Sequence, residues 1–178
     1  GNNMFVAVGY NGKLATSTDG ITWTQRTSSF GTTDIRGVVY GNNMFVAVGY
    51  NGKLATSTNG TTWTQRTSSF GTTDIRGVAY VNNMFVAVGS SGKLATSTDG
   101  ITWTQRTSGF DTSTILGVAY GDNMFVAVGV DGKLATSTDG ITWTQRTSGF
   151  GTSHIYGVAY GNNMFVAVGY NGKLATST

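Results

Sequence analysis

A 40-residue unit copied four times without a gap, segments of strand composition, and tight-turn dipeptides between them predict an all-β fold. The specific expectation is a β-propeller of four-stranded antiparallel blades, 40 residues per blade. The copies are residues 1–40, 41–80, 81–120 and 121–160, and residues 161–178 repeat residues 1–18 letter for letter. The expected organisation is one propeller domain, or a part-ring, over residues 1–178. A single small sheet cannot bury both its faces, so stability must come from stacking copies on one another.

Each element follows from local chemistry. Residues 4–9, 13–18, 22–27 and 35–40 of the first copy are rich in Val, Phe, Ile, Tyr, Trp and Thr, which suit a pleated, packed surface. Residues 35–40 and 4–9 are apolar on both faces, as inner strands squeezed between blades should be. Residues 22–27 alternate toward polar, as an outer edge strand should, and their Trp23 is expected in the core with Trp63, Trp103 and Trp143. Asn11-Gly12 and Asp19-Gly20 read as two-residue hairpin turns with both central residues at positive φ. Gly41-Asn42-Asn43 makes the third tight link, and residues 28–34 make a longer crossing to the next copy.

The composition excludes several function classes. Hydrophobic residues are 39% and charged residues only 11%, so Thr, Ser, Asn and Gly must wet the surface of a folded chain. Cysteine, proline and glutamate are absent, which removes disulfides, thiolate metal sites, a Cys nucleophile and any Glu-dependent acid–base chemistry. Apolar runs such as residues 4–8 are far too short for a helical membrane span, and no leader segment is visible. The net charge of +3 is thinly spread, whereas a nucleic-acid footprint wants clustered basic charge. Neither nucleic acid nor membrane is an expected partner. No cofactor and no metal site is expected: Asp19, Asp99 and Asp139 are lone carboxylates on separate blades, and His154 has no second His or Cys near it.

The stretch Ser17-Thr18-Asp19-Gly20-Ile21-Thr22-Trp23 recurs at Ser57, Ser97 and Ser137. It resembles the Asp-box (BNR) turn of sialidase-like β-propellers, although here Asp and Gly are adjacent, one residue closer than in that pattern, and Asn59 replaces Asp in the second copy. The resemblance implies the propeller fold, with Asp19, Asn59, Asp99 and Asp139 as turn-forming residues between third and fourth strands. The same repeats occur in exo-sialidases, sortilin-type receptors and photosystem II assembly factors. A sialidase would need, as that family implies, an arginine cluster and a Tyr–Glu pair. Without Glu, the chain is expected not to be an enzyme, and a glycoside hydrolase ranks third among its readings. Asn59-Gly60-Thr61 also fits a glycosylation sequon, although its simpler role is a turn.

In a four-stranded meander the links alternate between two ends of the blade. Positions that change more than once among the copies gather at the end opposite the Asp-box turns. Tyr10, Tyr50 and Tyr170 alternate there with Ser90 and Val130; Asn11 and Asn51 with Ser91 and Asp131; Asp34 and Asp74 with Thr114 and His154; Arg36 and Arg76 with Leu116 and Tyr156. Loops on a rigid ring are where binding residues sit. The candidate ligand-binding residues are therefore Tyr10, Asn11, Asp34, Arg36, Tyr50, Asn51, Asp74, Arg76, Asp131, His154 and Tyr156. Drift in loop ends that bury little is the competing account. Lys13, Lys53, Lys93, Lys133 and Lys173 lie near the same end, and read most simply as solvated edge lysines that discourage sheet-to-sheet pairing.

The leading expectation is a non-catalytic recognition module for a glycan, peptide or protein, with a structural scaffold second. Self-association is expected as well. The first copy of residues 1–18 lacks an innermost strand and the last lacks an outer one. A four-bladed monomer would leave one copy of that segment unused, and a five-bladed monomer would set two three-stranded blades side by side. A homodimer exchanging terminal strands would make about eight blades, and it is the favoured closure because an open arc exposes apolar strands.

Overall fold

The structure, a computed structural model, describes residues 3–177. It is all β, in five consecutive sheets of three, four, four, four and three strands. The first holds β1 (Phe5–Val8), β2 (Leu14–Ser17) and β3 (Thr24–Arg26). The second holds β4 (Ile35–Gly41), β5 (Met44–Gly49), β6 (Leu54–Ser57) and β7 (Thr64–Arg66). The third holds β8 (Ile75–Val81), β9 (Met84–Gly89), β10 (Leu94–Ser97) and β11 (Thr104–Arg106). The fourth holds β12 (Ile115–Gly121), β13 (Met124–Gly129), β14 (Leu134–Ser137) and β15 (Thr144–Arg146), and the fifth β16 (Ile155–Gly161), β17 (Met164–Gly169) and β18 (Leu174–Ser177). Every sheet is an antiparallel meander in chain order. The innermost strands pack in series, β4 on β8, β8 on β12 and β12 on β16. This is the β-propeller arrangement of the sequence reading.

Turn chemistry sets the hairpins. Asn42 and Asn43, at φ 47° and 56°, join β4 to β5 with Gly41 opposite Met44. Asn11 and Gly12, at φ 52° and 64°, join β1 to β2 in the same mirror-image turn, whose twist matches that of the strands. Gly52 fills this role in the second sheet under a second constraint. A Cβ there would lie 2.0 Å from the carbonyl oxygen of Gly71, so only glycine lets the crossing loop pass so close.

The Asp19-Gly20 link is not a two-residue hairpin. Only Gly20 has positive φ, and β2 and β3 are joined by the six residues 18–23. The Asp19 carboxylate sets their path instead. Its Oδ1 accepts the backbone N–H groups of Ile21 and Thr22 and the Ser17 hydroxyl, each at 2.8 Å, while the Trp23 indole donates to the Gly20 carbonyl at 3.2 Å. A side chain that satisfies the backbone of its own loop replaces the ladder bonds a tight hairpin would have made. Asn59 makes the same set with its amide oxygen.

One core lies at each junction. Val48 and Leu54 of the second sheet meet Phe85 and Trp103 of the third, together with Phe70 of the connecting segment and Ile75 at the start of β8. The other junctions repeat the scheme, with Leu14 against Phe45 and Trp63, and Val88 and Leu94 against Phe125 and Trp143. Trp63, Trp103 and Trp143 are buried as expected, but Trp23 is 43% exposed. The difference is positional: a tryptophan is covered by the sheet before its own, and within the chain no sheet precedes the first.

Two outcomes follow from this packing. Trp103→Ala should cost about 3–5 kcal/mol in chemical denaturation, as for a buried aromatic truncated to alanine. The Asp turns predict acid sensitivity. Backbone N–H groups of Thr102 and Ile101 hold Asp99 at about 2, below its ordinary 3.8, and those of Thr142 and Ile141 hold Asp139 at about 2. Asp19 is lowered in the same way by Thr22 and Ile21. A lowered carboxylate stabilises the fold above its unfolded value and loses that contribution as pH falls toward the folded one. The triple variant Asp19→Asn, Asp99→Asn, Asp139→Asn should therefore lose less stability between about pH 4 and about pH 2 than the unaltered chain, as read by melting temperature.

Candidate functional site

The end of the arc opposite the Asp turns is built from two kinds of link. One is the turn after the second strand of each full sheet, such as Tyr50–Gly52, and the other is the crossing loop, such as residues 67–74. A β-bulge joins them. The register between β4 and β5 shifts between Ile35 and Gly37, leaving Arg36 as the extra residue. Arg76, Leu116 and Tyr156 occupy the same bulge in the following sheets. A bulge re-aims its side chain out of the ladder, and this is the position where the copies differ most in chemistry.

Around these bulges the structure brings Tyr10, Arg36, Tyr50 and Arg76 into one stack across three sheets. The Arg36 guanidinium carbon lies 6.0 Å from the centre of the Tyr10 ring and 4.9 Å from that of Tyr50, and the Arg76 guanidinium carbon also lies 4.9 Å from the centre of the Tyr50 ring. Each pair sets a cation over an aromatic face. Arg76 is anchored further: it donates to the Tyr50 hydroxyl at 3.1 Å, to Ser90 Oγ at 3.3 Å and to Asp74 Oδ2 at 3.2 Å. Arg36 is exposed and makes no ion pair among the described residues, so its donors face solvent. Tyr10 is 71% exposed. At the far end His154 and Tyr156 meet edge-on, 6.5 Å apart.

Asp34, Asp74 and His154 are occupied in holding adjacent sheets together. Asp34 Oδ1 accepts the backbone N–H of Asn11 at 2.9 Å, Asp74 Oδ1 that of Asn51 at 3.0 Å, and His154 Nδ1 that of Asp131 at 3.2 Å. Each bond links the turn of one sheet to the segment leading into the next. The exchange of Asp for His therefore keeps an acceptor in place. It also requires the His154 proton to sit on Nε2. Asn11, Asn51 and Asp131 serve mainly through backbone, at φ between 52° and 57°, although Asp131 also accepts the Ser113 hydroxyl at 3.0 Å.

The lysines correct the sequence reading. Lys53, Lys93, Lys133 and Lys173 are not free edge charges. Each donates from Nζ to the carbonyl of a phenylalanine in the crossing loop, Phe30, Phe70, Phe110 and Phe150, at 2.8–3.1 Å. Lys133 adds a 2.8 Å ion pair with Asp111. They pin the loop against the sheet that follows it. The signal available in the sequence was their fixed 23-residue offset from those phenylalanines, but a main-chain acceptor leaves no mark in residue identity. Among the described residues no group of three or more His, Cys, Asp or Glu gathers where a metal ion would be held, and no helix is long and apolar enough to cross a membrane.

The model of a family described as the DUF6242 beta propeller domain matches residues 27–129, more than half of the chain. No curated protein matches. Among solved structures, YCF48 bound to D1 peptide superposes with a TM-score of 0.75 at 18% identity, over 100% of this chain and 60% of that one. The computationally designed Ika4 protein gives 0.70 at 14% identity, over 84% and 94% of the two chains. Virginiamycin B lyase from Staphylococcus aureus gives 0.78 at 10% identity, over 97% and 68%. These likenesses are of fold. The chain spans only 60% of the length of YCF48.

Lys93→Met tests the tether. It removes the charged donor from the Phe70 carbonyl and should lower stability by about 1–3 kcal/mol in urea unfolding.

Proposed function

We propose, for a chain that belongs to the DUF6242 beta propeller domain family, a non-catalytic recognition module that takes a peptide or protein segment on the face carrying the bulge residues. The observation behind this reading is the stack of Tyr10, Arg36, Tyr50 and Arg76, which offers the exposed Tyr10 ring, the half-buried Tyr50 ring and an Arg36 guanidinium without an intramolecular carboxylate. Tyr and Arg are the residues that carry binding energy at protein interfaces, and a solvent-facing guanidinium suits an acidic side chain or a terminal carboxylate. The variation among copies supports the same face, because the bulge position changes from Arg to Leu to Tyr while the buried positions around it stay fixed. YCF48, of the same fold, is bound to a peptide in its own structure. Ligand-facing roles fall to Tyr10, Arg36, Tyr50, Arg76 and Tyr156, and backbone-holding roles to Asn11, Asn51, Asp34, Asp74, Asp131 and His154.

A scaffold without a ligand is the second reading, favoured by the near identity of the copies outside the loops. The Asp19, Asp99 and Asp139 turns support an Asp-box assignment within the wider propeller grouping. No Glu is available for a sialidase-type or glycoside-hydrolase mechanism, so catalysis ranks last.

A peptide, protein and glycan array read with the unaltered chain and with Arg36→Ala tests the reading. Retention of acidic peptides that falls at least tenfold in Arg36→Ala, with unchanged melting temperature, is the expected result. Retention of glycans alone would redirect the ligand class, and no retention at all would leave the scaffold. Tyr10→Ala should weaken the same ligand while costing under about 1 kcal/mol of stability, as for an exposed cation–π partner.

A further inference from the structure

The second copy of the repeat carries a residue found in no other copy at two positions only, and both lie in one turn. Asn59 stands where the others have Asp19, Asp99 and Asp139, and Thr61 where they have Ile21, Ile101 and Ile141. Neither change improves the turn. The Asp19 carboxylate accepts its three bonds at 2.8 Å each, whereas the Asn59 amide oxygen accepts the same three at 2.9–3.1 Å and without charge assistance. Ile101 and Ile141 are 41% and 42% exposed, so more than half of each side chain is covered, and a threonine there gives up apolar contact. What the two changes do together is write Asn59-Gly60-Thr61, the single Asn-x-Ser/Thr triplet in the sequence, with glycine at its middle position.

The turn divides the Asn59 amide into a committed end and an open one. Oδ1 accepts the Ser57 hydroxyl and the backbone N–H groups of Thr61 and Thr62. Nδ2 makes no hydrogen bond among the described residues, and Asn59 is exposed. The Thr61 hydroxyl, on a half-buried residue two positions on, is likewise unbonded among the described residues. The bond from the Thr61 N–H to Oδ1 is an Asx turn, which folds the chain back so that the amide and the hydroxyl-bearing residue belong to one tight loop. Gly60, at φ 73°, puts no side chain between them. The loop is fixed from below as well: the Gly60 N–H donates to Ser57 Oγ at 2.8 Å, and the Trp63 indole donates to the Gly60 carbonyl at 2.9 Å.

We infer that Asn59 Nδ2 is the acceptor of an N-linked glycan. In the transfer, the amide nitrogen forms a C–N bond to the anomeric carbon of an oligosaccharide carried on a lipid diphosphate. The anomeric C–O bond breaks, its electron pair leaves with the diphosphate, and one Nδ2 proton passes to a base of the transferase. Nothing is oxidised or reduced. The turn is held through Oδ1, which remains an amide oxygen after the transfer, so all three of its bonds survive. Asp19, Asp99 and Asp139 hold their turns through the same atom and have no nitrogen to link, which is the difference the second copy introduces. A glycan here stands at the end of the sheets opposite the bulge residues. It adds bulky polar cover to a chain with only 11% charged residues and leaves Tyr10, Arg36 and Tyr50 open.

Translation of the full chain behind a cleavable secretion leader, with endoplasmic-reticulum microsomes, tests this on the protease-protected, translocated fraction. One mass increment, removed by peptide N-glycosidase, is expected on the unaltered chain. Asn59→Asp and Thr61→Ile each restore the residue of the other copies, so both keep a turn the fold already tolerates, and both should lose the increment completely. Thr61→Ser should keep it, because the hydroxyl remains. A translocated chain without an increment would overturn the inference, and so would an increment that persists in Thr61→Ile. The chain carrying its glycan should also melt no lower than the unmodified chain. A drop would show that Nδ2 does not stand clear of the turn, and would overturn the geometric ground of the assignment. None of these readouts involves the bulge face or its ligand, so they stand apart from the recognition reading.

Discussion

The structure depends on one packing constraint: each sheet is too small to bury its own faces, so the Val and Leu side chains of one must seat the Phe and Trp of the next. Val48 and Leu54 against Phe85 and Trp103 show the unit of this lock, and the other internal junctions copy it. Burial at about 25 cal/mol per Å² of apolar surface is the driving force, and it is realised only between copies. Stability is accordingly a property of neighbouring pairs, as in other repeat architectures.

That constraint explains what the polar residues do. With 11% charged residues and no disulfide, the chain cannot rely on surface ion pairs or cross-links to fix the angle between sheets. Directed hydrogen bonds across each junction do this instead. Lys53 to the Phe30 carbonyl, Ser29 to the Trp63 carbonyl and Asp34 to the Asn11 amide all link a crossing loop to the sheets it joins. Each bond satisfies a main-chain group that an irregular loop would otherwise leave to water. A loop pinned on both sides presents its remaining side chains in a fixed frame, and the bulge residues Arg36, Arg76, Leu116 and Tyr156 are the ones so presented. Rigidity below and variety above is the arrangement a recognition surface requires, because little conformational entropy is then lost on binding.

Much of this was legible in the chain. The repeat length, the number and order of the strands, the turns at Asn11-Gly12 and Asn42-Asn43, and the difference between the end that varies little among the copies and the end that varies more all follow from residue identity and spacing. Such features are local: positive φ at Asn and Gly, alternation along a strand, and β-branched composition act within a few residues. The Asp19 turn differs from the expected hairpin because Asp-Gly has the composition of a two-residue turn, while the carboxylate accepts N–H groups two and three residues ahead and lengthens the loop to six. The role of Lys93 is invisible in residue identity because its partner is the main-chain carbonyl of Phe70.

By itself, then, the sequence determined that this chain forms small antiparallel sheets that must stack, since periodicity and turn preference are written in short-range steric and hydrogen-bonding rules. Only the tertiary structure decided which copies of an identical residue are satisfied. Trp23 and Trp103 are the same side chain in the same motif, one open to solvent and one sealed, and Phe5 and Phe85 differ likewise. The physical reason is that burial belongs to a pair of sheets, and whether a neighbour stands on a given side depends on where in the arc the copy lies. The same holds for Arg36 and Arg76: equal residues in equal bulges, the second tied down by Asp74 and Ser90, the first left open between two tyrosine rings.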